Sequence, residues 1–254
     1  VISIKKSNVV IKNLSIENSG FSVEKIDSAI HAKEVNNITI ENNHISDSLF
    51  GINFEQVNRS KIVDNFITSK DLELGIRGDG IRLWNSHDNQ LFANRLYKSR
   101  DFVLWYSSGN NIENNYGSYN RYSLHFMHAG RNMVRNNFFE YNSVGIFFMY
   151  SSGTIAIGNT VKNSLGAFGV GIGMKDSSDF TLLENNLIYN PRGLYLDQSP
   201  YHPRTVNVFE RNNILYNSSG VQFQVSRERS IFKENNYTGN HNREFQRKYH
   251  VGHE

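Results

Sequence analysis

The sequence repeats with a period of about 22 residues, and this repeat restricts the fold more than any other feature. A short apolar run with one or two asparagines recurs from ITIENNHI (38–45) to IFKENNYT (231–238). Most spacings between reference asparagines are 21 to 23 residues, and the other three are 27 to 29. The reference asparagines are Asn43, Asn65, Asn94, Asn115, Asn137, Asn159, Asn186, Asn213 and Asn236.

Each repeat contains short runs such as GIRLW (80–84) and GIFFM (145–149), in which apolar and polar residues alternate. Asn, Ser and Gly separate the runs, and this pattern is typical of strands joined by turns. We therefore predict an all-β protein, a right-handed parallel β-helix of about ten coils with roughly 22 residues each. Residues 1–240 would form this single domain, and 241–254 would form a C-terminal tail or cap.

Composition excludes several classes of protein. The 254 residues include no cysteine, so disulfide frameworks and thiolate metal sites are absent. The formal net charge is only +3 and its basic residues are scattered, so no nucleic-acid partner is expected. No apolar run reaches the ~18 residues of a membrane span, so the chain is not itself expected to be transmembrane. The chain starts in strand pattern, and we expect the numbering to begin inside a longer precursor.

The longer spacings indicate loops inserted into the coils. We place them at DLELGIRG (71–78), LGAFG (165–169) and SPYHPR (199–204), with a fourth at GFSVEKIDS (20–28). Loops carried on a rigid scaffold are frequent sites of function.

One strand of each repeat aligns in register from GIRLW (80–84) to GVQFQ (220–224). Its second and fourth positions are apolar in every copy, so they are predicted to point inward and the third and fifth outward. Met127 and Met149 then become outward neighbours about 4.8 Å apart, with Trp105 on the other side of Met127. His125 lies two residues before Met127 on the same face, and His128 and Tyr150 lie at the strand ends.

Two interpretations of this outward patch remain open. Thioether and imidazole ligands together favour Cu(I) among biological metals, and an indole face adds a cation–π contact. The candidate metal ligands and neighbours are Met127, Met149, His125, His128 and Trp105. The other interpretation is an apolar surface that docks a partner or lies under a loop.

An enzymatic alternative is a polysaccharide-binding or polysaccharide-modifying β-helix, similar to a lyase or an epimerase. Such chemistry needs paired carboxylates, or a base beside cations. Asp79, Asp101, Arg82 and Arg100 are the available residues, but the outward columns predict no cluster of Asp with Arg in consecutive coils. In place of a methionine and histidine patch, this alternative predicts a groove lined by aromatic rings and carboxylates.

The motif series resembles one known family, NosD, over roughly residues 78–240. It is carried by GDGIRLWNS (78–86), DFVLWYSSGNNI (101–112), RYSLHFMHAGRNMVRNN (121–137), SVGIFFMYSSGTIAIGN (143–159), GVGIGMKDSSD (169–179) and GLYLDQSP (193–200). The HFM and FFM segments of that family fall on His125–Met127 and Phe147–Met149. His128 departs from the tyrosines Tyr106 and Tyr150 of the neighbouring coils.

The resemblance implies a periplasmic, copper-binding accessory protein with no enzyme activity of its own. It implies that the functional partners are an ABC transporter of the NosF/NosY type and a copper lipoprotein of the NosL type. The implied role is copper delivery during assembly of nitrous oxide reductase.

Overall fold

The computed structural model describes residues 2–225 and 229–242. In these residues the chain forms 29 strands and one short 3-10 helix at Leu74–Ile76. The strands are β1 (Ile2–Ile4), β2 (Val10–Lys12), β3 (Ser15–Glu17), β4 (Ser28–Lys33), β5 (Thr39–Glu41), β6 (His44–Ser48), β7 (Phe50–Glu55), β8 (Lys61–Val63), β9 (Phe66–Ser69), β10 (Ile81–Trp84), β11 (Gln90–Phe92), β12 (Arg95–Tyr97), β13 (Asp101–Trp105), β14 (Asn111–Glu113), β15 (Tyr116–Ser118), β16 (Tyr122–Met127), β17 (Met133–Arg135), β18 (Phe138–Glu140), β19 (Val144–Met149), β20 (Ile155–Ile157), β21 (Thr160–Lys162), β22 (Val170–Lys175), β23 (Thr181–Leu183), β24 (Asn186–Ile188), β25 (Arg192–Asp197), β26 (Val208–Glu210), β27 (Asn213–Leu215), β28 (Ser219–Phe223) and β29 (Ile231–Lys233).

The strands form three parallel sheets, and each coil supplies one strand to each sheet in turn. Sheet 1 runs β1-β4-β7-β10-β13-β16-β19-β22-β25-β28, sheet 2 runs β2-β5-β8-β11-β14-β17-β20-β23-β26-β29, and sheet 3 runs from β3 to β27 through every third strand. This is the parallel β-helix of about ten coils that the repeat predicted. The predicted tail at 241–254 lies almost entirely outside the described residues.

Left-handed backbone turns the chain at the corners of each coil. Asn114 (φ 55°) and Asn136 (φ 52°) precede strands of sheet 3, and each donates its N–H to a carbonyl of the next coil. Asparagine tolerates this conformation better than most residues. Tyr106, Tyr119 and Tyr141 occupy other corners with the same sign of φ. Their rings stack with corner rings of neighbouring coils, so packing offsets part of the backbone strain.

A ladder of asparagines, all buried except the half-buried Asn235, fills the corner before sheet 3. Its members are Asn43, Asn65, Asn94, Asn115, Asn137, Asn159, Asn185, Asn212 and Asn235, and each side-chain oxygen from Asn65 onward accepts the backbone N–H of the ladder asparagine one coil before. The repeated asparagines thus join adjacent coils at this corner.

Three reference asparagines were assigned one residue too late. Asn186 and Asn213 begin strands of sheet 3, and Asn236 follows the ladder residue Asn235. In these coils a charged residue such as Glu184 takes the left-handed position, so the first asparagine of the NN pair faces inward. In earlier coils the left-handed residue is Asn42 or Asn136 itself, and the second asparagine faces inward.

The core lies between the three sheets and follows the predicted columns of sheet 1. The second and fourth positions of the aligned strands are buried from Ile81 and Leu83 to Leu194 and Leu196, and Met174 is fully buried as predicted. The third column points away from the core, yet Val103, His125 and Phe147 in it are also buried. Other parts of the chain therefore cover this stretch of the outer face of sheet 1.

The four inserted loops lie where the sequence predicted them, between β3 and β4, β9 and β10, β21 and β22, and β25 and β26. The first three share one corner, because each connects sheet 3 to sheet 1. They therefore rise beside the outer face of sheet 1. In the part of the chain that the structure describes, no helix is long and apolar enough to cross a membrane.

Candidate functional site

The outward fifth column of sheet 1 carries the predicted indole and thioether side chains. Parallel pairing places Trp84 opposite Trp105, Trp105 opposite Met127, and Met127 opposite Met149. The two indoles stack with centroids 5.3 Å apart. Both methionines are half-buried, and Lys175 follows Met149 in the same column. Sheet geometry spaces such neighbours by about 4.8 Å, so the two sulfur atoms share one patch.

His128 lies at the corner directly after Met127 and does not share the methionine column. Its imidazole is exposed and stacks between the rings of Tyr106 and Tyr150, with centroids 5.1 and 4.9 Å apart. His128 thus takes the place of a corner tyrosine, as the alignment of repeats predicted. This three-ring stack runs along one edge of the indole and thioether column.

His125 lies two residues before Met127, but its side chain is buried and only 6% of its surface is exposed. Its Nδ1 is 3.3 Å from Oδ2 of Asp101, and its ring stacks on Tyr122 with centroids 4.6 Å apart. Its Nε2 is buried and has no hydrogen-bond partner. An unpaired buried nitrogen is costly, so this atom is the group at the site most in need of a ligand.

Asp101 determines which nitrogen of His125 carries the proton. Burial by itself would raise the pKa of Asp101, but hydrogen bonds from His125 and Arg121 outweigh it and hold the pKa below its usual value. An ionised carboxylate only accepts hydrogen bonds, so Nδ1 of His125 bears hydrogen and Nε2 is the nitrogen left to bind a metal. A carboxylate on the far nitrogen is the usual arrangement for a metal-binding histidine.

A second buried ion pair lies beside the first. Arg100 Nε donates to Oδ1 of Asp79 at 2.9 Å, and Arg121 Nε donates to Oδ1 of Asp101 at 2.9 Å. Burial, together with the charge of Asp101, raises the pKa of Asp79 although Arg100 opposes this. The two pairs and His125 line a cleft of about 230 Å³, bordered also by Trp105 and by the loop that precedes β4.

The prediction that Asp and Arg form no cluster in consecutive coils was therefore wrong. That prediction compared positions within strands, whereas Arg100 and Arg121 lie at the corner between sheet 3 and sheet 1. Asp79 occupies the same corner one coil earlier, and Asp101 begins β13. The recurrence of Arg100 and Arg121 just before successive sheet 1 strands was a signal that could have revealed the cluster.

The donor set at this face fits a soft metal ion better than a hard one. Within residues 2–225 and 229–242, no group of three or more His, Asp or Glu side chains is arranged to hold a metal ion. Two neighbouring thioethers and one imidazole nitrogen without a hydrogen-bond partner are ligands that select Cu(I). The structure brings Trp105, Met127 and Met149 together in one column and leaves His128 at the edge. His125 lies in the adjacent cleft, which Trp105 also lines.

Comparison with solved structures identifies the fold class of the protein. The chain matches the fold of the A-module of mannuronan C-5 epimerase AlgE6 from Azotobacter vinelandii, with a TM-score of 0.72, 12% identity, and coverage of 92% of this chain and 69% of that one. The AlgE4 A-module from the same organism matches with a TM-score of 0.62, 11% identity, and 92% and 75% coverage. At this identity the likeness shows the parallel β-helix fold alone.

The family follows from the sequence. Residues 71–248 match the family described as periplasmic copper-binding protein (NosD), and the chain belongs to that family. The resemblance seen in the repeat motifs is confirmed, and so is the assignment to a family of periplasmic proteins. The family description names copper binding and no reaction. No protein with a curated description matches the chain.

Proposed function

We propose that this protein holds Cu(I) on the outer face of sheet 1, through the thioethers of Met127 and Met149 and Nε2 of His125. The observation that carries the proposal is the pairing of Met127 with Met149 on adjacent strands, two residues from a histidine whose Nε2 lacks a partner. Thioether and imidazole donors match a soft monovalent ion. Membership of a family described as copper-binding supports copper as the metal.

The neighbouring residues have separate roles in this proposal. Asp101 orients His125 by accepting from Nδ1, as carboxylates do for metal-binding histidines. The indole of Trp105 lies beside Met127 and supplies an aromatic face toward a bound cation. His128 stacks at the edge, where its exposed ring is an entry or exit ligand.

We further propose that the protein is a carrier without enzymatic activity, which passes copper to partners in the periplasm. The partners in this proposal are an ABC transporter of the NosF/NosY type, a copper lipoprotein of the NosL type, and nitrous oxide reductase. Trp84, Trp105, Tyr106 and Tyr150 surround the methionines with half-buried and exposed aromatic surface. Such surface favours docking of a partner where the ion is exchanged.

An anaerobic Cu(I) titration against a chromophoric chelator tests the site. We expect the wild type to bind copper stoichiometrically. The double variant Met127→Ala/Met149→Ala loses two ligands and should bind copper more than about 100-fold more weakly. Mutation of a residue that only hydrogen-bonds to a ligand already lowers metal affinity about 10- to 100-fold. The fold of each variant is checked by circular dichroism.

Met133 supplies a matched control, because it is a half-buried methionine on the outer face of sheet 2. Met133→Ala should leave the copper affinity unchanged. Equal loss in Met133→Ala and in the double variant would indicate a general effect on the fold and would contradict the proposed site. Full affinity in the double variant would place the copper elsewhere.

A further inference from the structure

The outer face of sheet 3 carries a groove of about 750 Å³, on a different face from the methionines. It crosses β9, β12, β15 and β18, which belong to four successive coils. Its volume lies within the range of about 300–1,000 Å³ that is common for small-molecule sites. The groove is therefore a candidate binding site independent of the copper patch.

Two small residues create the depression. Ser118 stands in a column between Tyr97 and Glu140, and parallel pairing aligns the three. Ala93 occupies the corner before β12, between the larger Asp64 and Asn114 of the neighbouring coils. Where the larger side chains of adjacent coils project, these two short ones leave open space above the sheet.

Aromatic rings form one wall of the groove. Tyr119 and Tyr141 stack at successive corners with centroids 5.5 Å apart, and Tyr97 meets Tyr119 edge-on at 5.6 Å. Tyr119 is 44% exposed and Tyr141 is 36% exposed, so both rings present surface to solvent. Phe66 and Tyr116 add further rings along the groove. Tyrosine offers an apolar face and a polar hydroxyl together.

Polar groups among these rings are held in place by hydrogen bonds and ion pairs. Tyr116 donates its hydroxyl hydrogen to Oε1 of Glu140 at 2.9 Å, and Lys162 pairs with the other oxygen at 3.3 Å. Asp64 and Arg95 contribute one carboxylate and one guanidinium to the lining. The lining thus carries two carboxylates and one guanidinium, and Lys162 pairs with Glu140 from outside the lining. An uncharged ligand with many hydroxyl groups therefore matches the groove better than an anion does.

We propose that this groove binds an uncharged polysaccharide. The apolar face of a sugar ring would lie on Tyr119 or Tyr141, and its hydroxyls would bond to the carboxylates of Asp64 and Glu140 and to Arg95. Four coils in line suit an extended polymer. A uronic-acid polymer or a nucleic acid would place its charges beside those two carboxylates, and electrostatic repulsion disfavours both.

The test is a glycan array with the labelled full chain, followed by calorimetric titration of the bound glycans. The probes include oligomers of glucose, mannose, xylose and N-acetylglucosamine, an oligomer of mannuronic acid, and a proline-rich peptide. We expect binding of at least one neutral oligomer and none of the mannuronate oligomer. Tyr119→Ala should weaken that binding about tenfold or more, through loss of one stacking face, and Glu140→Gln should also weaken it.

Tyr189 provides the control, because it is a corner tyrosine with the same φ of 56° as Tyr119 and stacks on Tyr216 outside the groove. Tyr189→Ala should bind the neutral oligomer as the wild type does. Failure of every neutral oligomer to bind would overturn the proposal. So would binding that Tyr119→Ala leaves intact, or binding of the proline-rich peptide alone, which would assign the groove to a protein partner.

Discussion

Replacing Asn137 by alanine should lower the free energy of unfolding by about 3–5 kcal/mol, because several buried hydrogen bonds meet at this side chain. Its Nδ2 donates to the carbonyl of Ile112 at 3.0 Å and to Oδ1 of Asn159 at 2.8 Å. Its Oδ1 accepts from both the backbone N and Nδ2 of Asn115, each at 2.9 Å.

Alanine would leave the backbone N–H of Asn115 buried without its partner. Nδ2 of Asn115 would keep the carbonyls of Leu91 and Glu113, and Oδ1 of Asn159 would keep the backbone N–H of residue 137. The orphaned donor costs about 1–3 kcal/mol, and each of the other lost hydrogen bonds costs about 1 kcal/mol. For a chain of this size the midpoint of thermal unfolding should fall by roughly 10 °C. Calorimetry or circular dichroism melting measures it.

Asn136→Gly is the control for this prediction. Asn136 is exposed and has φ 52°, a conformation that glycine adopts without strain. We expect its midpoint to stay close to that of the wild type. If both variants have the same midpoint of thermal unfolding, the buried ladder does not contribute the expected free energy of unfolding.

The second large effect is expected for Asp101→Asn. Asp101 is 2% exposed and is bonded to both Arg121 and His125. Removing one partner of a buried ion pair costs about 3–5 kcal/mol, and the value here should lie nearer 2–3 kcal/mol because the side chain of Arg121 is 39% exposed. Urea denaturation at neutral pH measures this difference.

The effect of Asp101→Asn should also depend on pH. The pKa of Asp101 in the folded protein lies below its unfolded value. Its contribution to stability is therefore present above the unfolded pKa of about 3.9 and is lost as pH falls through the lowered pKa. The difference between wild type and variant should be largest near neutral pH and shrink in acid.

The contribution of Asp79 to stability changes with pH in the opposite direction, because its pKa is raised in the folded protein. It favours the folded state below the unfolded pKa, and this contribution is lost as pH rises. The charge of Asp101 helps to raise the pKa of Asp79, so the difference between Asp101→Asn and the wild type at each pH contains both effects. A difference that grows as the solution is acidified would contradict the assignment of Asp101 as the ionised partner of Arg121 and His125.

The coil architecture and the neighbouring methionines could be predicted because both follow from a short-range rule. Side chains alternate along a strand, and a repeat of constant length stacks equal positions on adjacent strands. The inward columns through Ile146 and Phe148 and the pairing of Met127 with Met149 are direct results of that rule. The one-residue error at Asn186 shows its limit. The left-handed corner stays directly after the strand of sheet 2, but the NN pair shifts by one residue relative to it when a charged residue such as Glu184 occupies the corner.

The sequence alone thus determined the β-helix, its core and the presence of thioether and imidazole groups on one strand. Only the tertiary structure decided that His125 is buried against Asp101 with Nε2 unpaired, and that Arg100 and Arg121 form a cluster with two aspartates. Only the tertiary structure revealed the groove above Ser118. These features depend on where corner side chains point and which loops cover them, and packing between coils determines both.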